Sequence, residues 1–259
     1  MQAQEIQVSY GDRLVLDQLS CQLEAGKITT IIGANGSGKS TLLKALTRIL
    51  PLETGQVVLD GQAIAQMNTK EVARKLALLP QVQTVTQGIC VYDLISYGRY
   101  PHLSTLGRLD SEDREKIAWA MEVTQVAAFQ NQLVDSLSGG QRQRVWIAMA
   151  LAQDTDWIFL DEPTTYLDLN HQLEVLDLLA ELNQTQGKSI VMVLHDLNLA
   201  ARFSHRLLAL KEGNIAFAGA ASEVMTAAVL RSIFAIEAHI VQDPLHGKPV
   251  CLSYTRLQE

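Results

Sequence analysis

The residues Gly33-Ala34-Asn35-Gly36-Ser37-Gly38-Lys39-Ser40, continued by Thr41, combine glycines, a lysine and hydroxyls in a spacing that suits gripping a phosphate. Glycines let the backbone curl so that successive N–H groups face one anion, and a helix opening just beyond adds its partial positive charge. Lys39 can reach β- and γ-phosphates, and the Ser40 hydroxyl can ligate Mg²⁺. Farther along, the apolar run Trp157-Ile158-Phe159-Leu160 ends in Asp161 and Glu162. In a phosphate-loop fold such a strand end delivers Asp161 to the Mg²⁺ side, and Glu162, one residue on, can polarise an attacking water as general base. A third cluster, Leu137-Ser138-Gly139-Gly140-Gln141, precedes a helical pattern carrying Arg142 and Arg144, and reads as a second anion-binding nest. One nucleotide does not need two cradles. The second is therefore expected to close on ATP held by another copy of the chain, in a two-fold dimer. Taken singly, these pieces also have plain readings as a glycine turn, a strand end and a capped helix; together and in this order they favour the chemistry.

These residues must be positioned by alternating strands and helices. Short apolar, β-branched runs at 28–32, 57–59, 76–79, 157–160, 190–194, 207–210 and 215–218 predict strands, and helices are expected at 40–49, 69–75, 111–123, 141–152, 171–182 and 197–203. Asn68 with Glu71 fits a capping box, Pro51 ends the first helix, and Gly213-Asn214 suits a tight turn. Continuous apolar strands between helices predict a parallel core sheet covered on both faces. The early strands and those around Asp60-Gly61 look like hairpins of an antiparallel layer. The expected fold class is α/β: one domain over 1–259, with 1–87 and 153–259 forming the α/β core and its antiparallel β subdomain. Residues 88–152 are expected to form an inserted α-helical subdomain.

With 47% hydrophobic and 19% charged residues, the composition argues against disorder. A net charge of −7 makes the chain a poor general binder of nucleic acid, whose backbone is held by Lys and Arg. Cys21, Cys90 and Cys251 are far apart and outside metal-ligand spacing, so free thiols are expected. No signal peptide pattern opens the sequence, and no apolar run nears the roughly 20 residues that cross a bilayer. His102, His171, His205, His239 and His246 share no spacing and read as surface or packing residues.

On these motifs the chain resembles the ATP-binding cassettes of ABC transporters, whose signature motif matches 137–141, and the likeness runs essentially end to end. The resemblance implies a phosphate-loop NTPase fold and further roles. Tyr10 resembles the aromatic that stacks on adenine, with Val15 nearby. Gln81 resembles the glutamine that contacts Mg²⁺ or water and moves with the membrane partner. Asp168, after Leu167, resembles the loop that crosses the dimer interface, and His195 resembles the histidine that touches the γ-phosphate. Where the family usually has Ser-Ala-Leu-Asp, this chain has Thr165-Tyr166-Leu167-Asp168, so only the last two positions carry over. Ser96-Tyr97-Gly98-Arg99-Tyr100-Pro101-His102, Gly107-Arg108, Asp110 and Pro249-Val250-Cys251-Leu252 are similar to the importer group for ferric siderophores, haem and cobalamin, most of all its ferric dicitrate branch.

The resemblance implies ATP and Mg²⁺ as ligands and a homodimer with composite ATP sites. It also implies a permease dimer docked on 88–110 through groups such as Tyr97, Tyr100 and Leu103. A periplasmic or lipid-anchored iron-chelate binding protein would act indirectly, and the chain would sit peripherally at the cytoplasmic face of the inner membrane. Competing classes are a soluble cassette ATPase acting on DNA or ribosomes, and a nucleotide sensor that does not hydrolyse. The first tends to carry a long coiled coil or two cassettes per chain, absent here, and intact Glu162 and His195 argue against the second.

Overall fold

The computed structural model describes residues 1–81, 87–104, 107–165 and 167–257. Tyr166 lies outside them. The chain begins with β1 (Gln2–Tyr10), β2 (Arg13–Gln22), β3 (Ile28–Gly33), α1 (Lys39–Leu46), β4 (Thr54–Leu59) and β5 (Gln62–Ala63). There follow α2 (Thr69–Lys75), β6 (Leu76–Leu79), α3 (Val91–Ser96), α4 (Ser111–Val123), α5 (Gly139–Ala152), β7 (Trp157–Asp161) and α6 (Leu169–Gln186). The last stretch holds β8 (Ser189–Val193), α7 (Leu197–Phe203), β9 (Arg206–Lys211), β10 (Asn214–Gly219), α8 (Ala221–Val224), α9 (Ala227–Phe234), β11 (Ile236–Gln242) and β12 (Pro249–Arg256). These elements form two compact units, one of residues 1–67 with 189–259, the other of residues 68–188.

In the first unit β3 lies between β8 and β9 and runs parallel to both, while β10 closes antiparallel on β9. Every residue of β3 and β8 is buried, as expected for strands covered on both faces. Thr30, deep in β3, keeps its hydroxyl satisfied by accepting from Ser204 Oγ at 2.6 Å. His205 Nδ1 accepts from the Ile28 N–H at 3.0 Å, a packing role for a histidine read as one. A separate antiparallel sheet orders β2-β1-β4-β5, matching the hairpin layer expected from the sequence.

Several local expectations need correction. The first helix stops at Leu46, ahead of Pro51, because Arg48 turns left-handed at φ 60° and the Arg48 and Ile49 N–H groups close back on the Ala45 and Lys44 carbonyls at 3.1 and 2.9 Å. Asn68 does cap α2 through the Lys70 N–H at 2.9 Å, but Glu71 returns no bond, so there is a cap without a box. The turn joining β9 to β10 is Glu212-Gly213, both at positive φ (49° and 78°), with Asn214 already in the strand. That is the mirror-image turn whose twist suits a hairpin. Helix α6 is longer than predicted at both ends, running from its Asp168 cap to the left-handed Gly187. The C-terminal α8, α9 and the β11–β12 hairpin had no counterpart in the sequence reading.

In the second unit β6 and β7 pair in parallel. Between Val91 and Ala152 the described residues form only α-helices, 3₁₀ turns and an isolated bridge from Cys90 to Leu133. A buried ion pair braces them: Arg99 Nε donates to Asp113 Oδ1 at 2.8 Å and Arg99 Nη1 to Ala152 O at 2.9 Å. Asp113 also closes a capping box with Asp110 at the start of α4. Burial alone would raise the Asp113 carboxyl; the Arg99 hydrogen bond, the Asp110 N–H and the Arg99 charge outweigh it and hold it below the ordinary carboxylate range. A depressed folded value contributes stability above the unfolded carboxylate pKa of about 3.9, and that contribution is lost as pH falls through the folded value. Arg99→Met leaves the carboxylate buried and unpaired, so a loss of about 3 kcal/mol is expected in denaturant unfolding at neutral pH. An unchanged midpoint would show that the pair braces nothing.

Candidate nucleotide site

The first unit carries the glycine-rich loop between buried β3 and helix α1. At Gly33, φ is 153° and an added Cβ would stand 2.4 Å from the Leu210 backbone oxygen and 2.7 Å from Ser37 Oγ, so only glycine fits. Lys39 is 6% exposed, and its ammonium donates to Gly33 O at 2.9 Å and to Ala34 O at 3.0 Å, drawing the loop around its own base. The Ser37 hydroxyl is buried without a protein partner among the described residues. Such an orphan costs about 1–3 kcal/mol unless a ligand or water satisfies it, which is the mark of a loop built to receive a polar guest. Ser40 and Thr41 open α1 on the same turn.

Val15, on β2, stands beside this loop: its carbonyl lies 3.4 Å and its Cγ1 3.6 Å from where a Gly38 side chain would begin. Tyr10 ends β1 with its ring about half exposed. His195 follows β8 and is exposed, directly before Asp196, whose carboxylate caps α7 by accepting from the Asn198 and Leu199 N–H groups at 2.8 and 2.9 Å.

The second unit carries the carboxylates. Asp161 ends β7 and is 2% exposed. Glu162 takes the left-handed conformation at φ 54°, a strained choice for a non-glycine residue costing of order 1 kcal/mol or more. Its Oε2 accepts from Gln81 Nε2 at 2.6 Å and from Thr165 Oγ1 at 3.0 Å. Gln81, 81 residues away in the chain, is thus brought onto the expected base, and Thr165 joins as a partner that sequence reasoning missed. Gln143 Nε2 also holds the loop, donating to Pro163 O at 2.9 Å.

Ser138 caps α5 in a reciprocal box: its hydroxyl accepts from the Gln141 N–H at 3.3 Å while the Gln141 Oε1 accepts from the Ser138 N–H at 3.0 Å. Gly139 has open space where a side chain would stand. Gly140 does not: a Cβ there would meet the His171 ring at 3.2 Å. His171 bonds in turn to Asp168, through its N–H at 2.9 Å and its Nδ1 at 2.8 Å. The backbone N–H and the imidazole of His171 hold the Asp168 carboxyl below the usual range. His171, expected as a surface or packing residue, therefore lies between the Ser138–Gln141 cap and the loop at 167–168. The three cysteines are free, and no cluster of His, Cys, Asp and Glu able to hold a metal occurs among the described residues.

A lysine-bearing glycine loop between a buried strand and a helix, together with a strand-end carboxylate pair, defines a phosphate-loop nucleotide hydrolase. The chain belongs to the ABC transporter family, whose model matches residues 16–165 and so takes in the loop, the serine-capped α5 and the carboxylates. It is 53% identical over 254 residues to the iron(3+)-hydroxamate import ATP-binding protein FhuC of Bacillus subtilis, covering 98% of this chain and 94% of that one. It is 43% identical to the ferric enterobactin transport ATP-binding protein FepC of Escherichia coli, covering 99% and 94%. Among solved structures it resembles a dimeric ATP-binding cassette bound to ADP and Pi in a post-hydrolysis state, with a TM-score of 0.73 and 27% identity over 85% of this chain and 97% of that one. This protein is accordingly an ATP-binding, ATP-hydrolysing subunit of an ABC transporter. No helix among its described residues is long and apolar enough to cross a membrane.

Proposed function

We propose that two copies of the chain sandwich two ATP molecules and drive import of a ferric chelate through a membrane permease. The cargo reading rests on the iron-chelate import relatives. Ferric citrate and other iron-siderophore chelates are the first candidates, haem or cobalamin the alternative; a soluble non-transport cassette is remote. The chain works as one ATPase domain, with 88–152 as its helical subdomain, bound peripherally at the cytoplasmic face of the inner membrane. An iron-chelate binding protein hands cargo to the permease, and no nucleic acid takes part.

In this reading Tyr10 stacks on adenine beside Val15, while Gly33, Ala34, Asn35, Gly36, Ser37, Gly38, Lys39, Ser40 and Thr41 cradle the phosphates. Ser138, Gly139, Gly140 and Gln141 of the other copy close on the γ-phosphate, and the loop at Asp168 crosses between copies. Ser40, Gln81 and Asp161 offer hard oxygens, one of them a carboxylate, a donor set that fits Mg²⁺. Since the Gln81 Nε2 is committed to Glu162, the oxygen is the atom of that amide which can serve a cation. When bound there, Mg²⁺ would neutralise negative charge on the phosphates. Glu162 takes a proton from water as its oxygen bonds to the γ-phosphorus, the bond to the bridging oxygen breaks, and ADP and phosphate leave. His195 steadies the charge building on the γ-phosphoryl oxygens.

The observation that carries the coupling is the Gln81–Glu162 hydrogen bond, because it ties the base to a residue just ahead of the segment expected to meet the permease. In that segment Tyr97 and Tyr100 are 61% and 69% exposed, while Leu103 is half-buried. The test is the double variant Tyr97→Glu with Tyr100→Glu. It should keep the basal ATPase of the isolated chain within about twofold, since surface substitutions rarely disturb a fold. It should also abolish uptake of radiolabelled ferric citrate and ferric hydroxamate in cells that depend on this chain. Normal uptake of either chelate by the variant would move the docking surface elsewhere. No iron-chelate uptake even by the unaltered chain would overturn the cargo reading.

A further inference from the structure

We infer that His171 is a positioning residue that sets the Ser138–Gln141 nest and the loop at 167–168 together for ATP held by a second copy, an inference that rests on the proposed nucleotide-bridged dimer. One edge of its imidazole faces the loop. Nδ1 lies 2.8 Å from Asp168 Oδ1, and the His171 backbone N–H donates to the same oxygen at 2.9 Å. An ionised carboxylate only accepts, so Nδ1 carries the proton and that edge of the ring is turned to Asp168. The next side chain adds to the hold, since Gln172 Nε2 donates to Leu167 O at 2.9 Å. Two consecutive residues of α6 thus grip two consecutive residues of the loop. The gripped stretch stays accessible, as a segment that meets a second copy requires: the Asp168 side chain is 65% exposed and Leu169 is 77% exposed.

The rest of the ring faces the nest. Its Cδ2, Cγ and Nε2 stand 3.2, 3.3 and 3.5 Å from where a Gly140 side chain would begin, so the imidazole takes up the room that glycine leaves. A second contact lies in register with the first. Glu174, three residues after His171 on α6, pairs with Arg144, four residues after Gly140 on α5. Those spacings keep each helix's two contributions on one face. Asn170 Nδ2 steadies Glu174 by donating to its Oε1 at 2.8 Å. Beyond Glu174, α6 borders a cavity of about 260 Å³ that it shares with Arg144 and with Val123 and Gln125 around the end of α4. On this face the first turns of α5 and α6 are joined by side chains beside open space, and His171 reaches both the nest and the loop. In the proposed dimer both of these serve the other copy's nucleotide, so a ring that fixes their spacing lets them engage together. Without it their ordering would have to occur as the copies meet, which weakens association.

His171→Ala removes the ring but keeps the backbone N–H that Asp168 holds, so α6 keeps its start. In the full-length Glu162→Gln chain with saturating MgATP, adding His171→Ala should raise the concentration for half-dimerisation about tenfold by light scattering. The affinity of dilute single chains for a fluorescent ATP analogue should stay within about twofold, because each chain's own phosphate loop is untouched. His171→Phe keeps a ring against Gly140 without the Asp168 bond, and His171→Asn keeps a donor for Asp168 without the ring. Each should fall between the parent and His171→Ala. A merely structural role would weaken analogue binding and dimerisation together, and that result overturns the role of His171. So does parental dimerisation by His171→Phe or by His171→Asn, since either would make one of the two contacts idle. If Glu162→Gln alone stays a single chain, with and without its permease, the bridged dimer fails and the role of His171 with it. If Glu162→Gln doubles in mass and its His171→Ala derivative doubles at the same concentration, only the role of His171 is wrong.

Discussion

Glu162→Gln is expected to bind ATP as tightly as the unaltered chain while its turnover drops about 10²- to 10⁴-fold, the range over which a positioned general base acts. The substitution keeps the side chain's shape and its carbonyl-type oxygen, so the hydrogen bond donated by Thr165 can persist. The left-handed backbone at 162 is no harder for glutamine than for glutamate. What disappears is the ability to take a proton from water. A residue kept in strained geometry, pinned by Gln81 and Thr165, is placed for a purpose that an ordinary strand end would not need. Phosphate-release kinetics beside a fluorescent-nucleotide titration separate the two effects. Ordinary turnover by this variant would remove Glu162 from the role of base.

Gly33→Ala is expected to damage both the fold and the nucleotide cradle with a single methyl group. The new carbon meets the Leu210 backbone oxygen at 2.4 Å and the Ser37 hydroxyl at 2.7 Å. Neither is the loose end of a long side chain: Leu210 O belongs to buried β9, and Ser37 is itself buried. Overpacking of this kind costs about 1–3 kcal/mol, and the unfavourable φ adds roughly 1 kcal/mol or more. The loop must shift to relieve the clash, and the shift falls on the carbonyl of residue 33 that receives Lys39. A thermal melt lowered by several degrees is expected, with the stabilisation that ATP gives the unaltered chain lost. A variant still stabilised by ATP to the normal extent would mean the loop adapts without disturbing its cradle.

Much of this architecture was legible because its chemistry is local in the chain. The phosphate loop, the Asp161-Glu162 strand end and the serine cap at 138 are each contiguous, so residue type and spacing carry the message. The bounds of α2, α4 and α7 were also readable, since Asn68, Asp110 and Asp196 mark their starts. The β11–β12 hairpin escaped because both strands are only half-buried, and their apolar residues never form the continuous run that distinguishes β3 or β8. The alternation of Ile236, Ala238 and Ile240 was the available signal. Pairings made across long stretches of chain were out of reach: Gln81 with Glu162, and Asn198 with Cys251, meet 81 and 53 residues apart. The weight of His171 was hidden for a related reason, since its ring matters only once Gly140 is folded beside it.

In the proposed cycle, conversion of phosphate chemistry into movement depends on two copies joined by nucleotide. The direct measurement is the solution mass of Glu162→Gln by light scattering, with and without saturating MgATP. A shift from about 28.5 kDa to twice that mass on adding MgATP, reversed when nucleotide is removed, is the predicted result. A single-chain mass at every nucleotide concentration, for the isolated chain and for the chain bound to its permease alike, would contradict it.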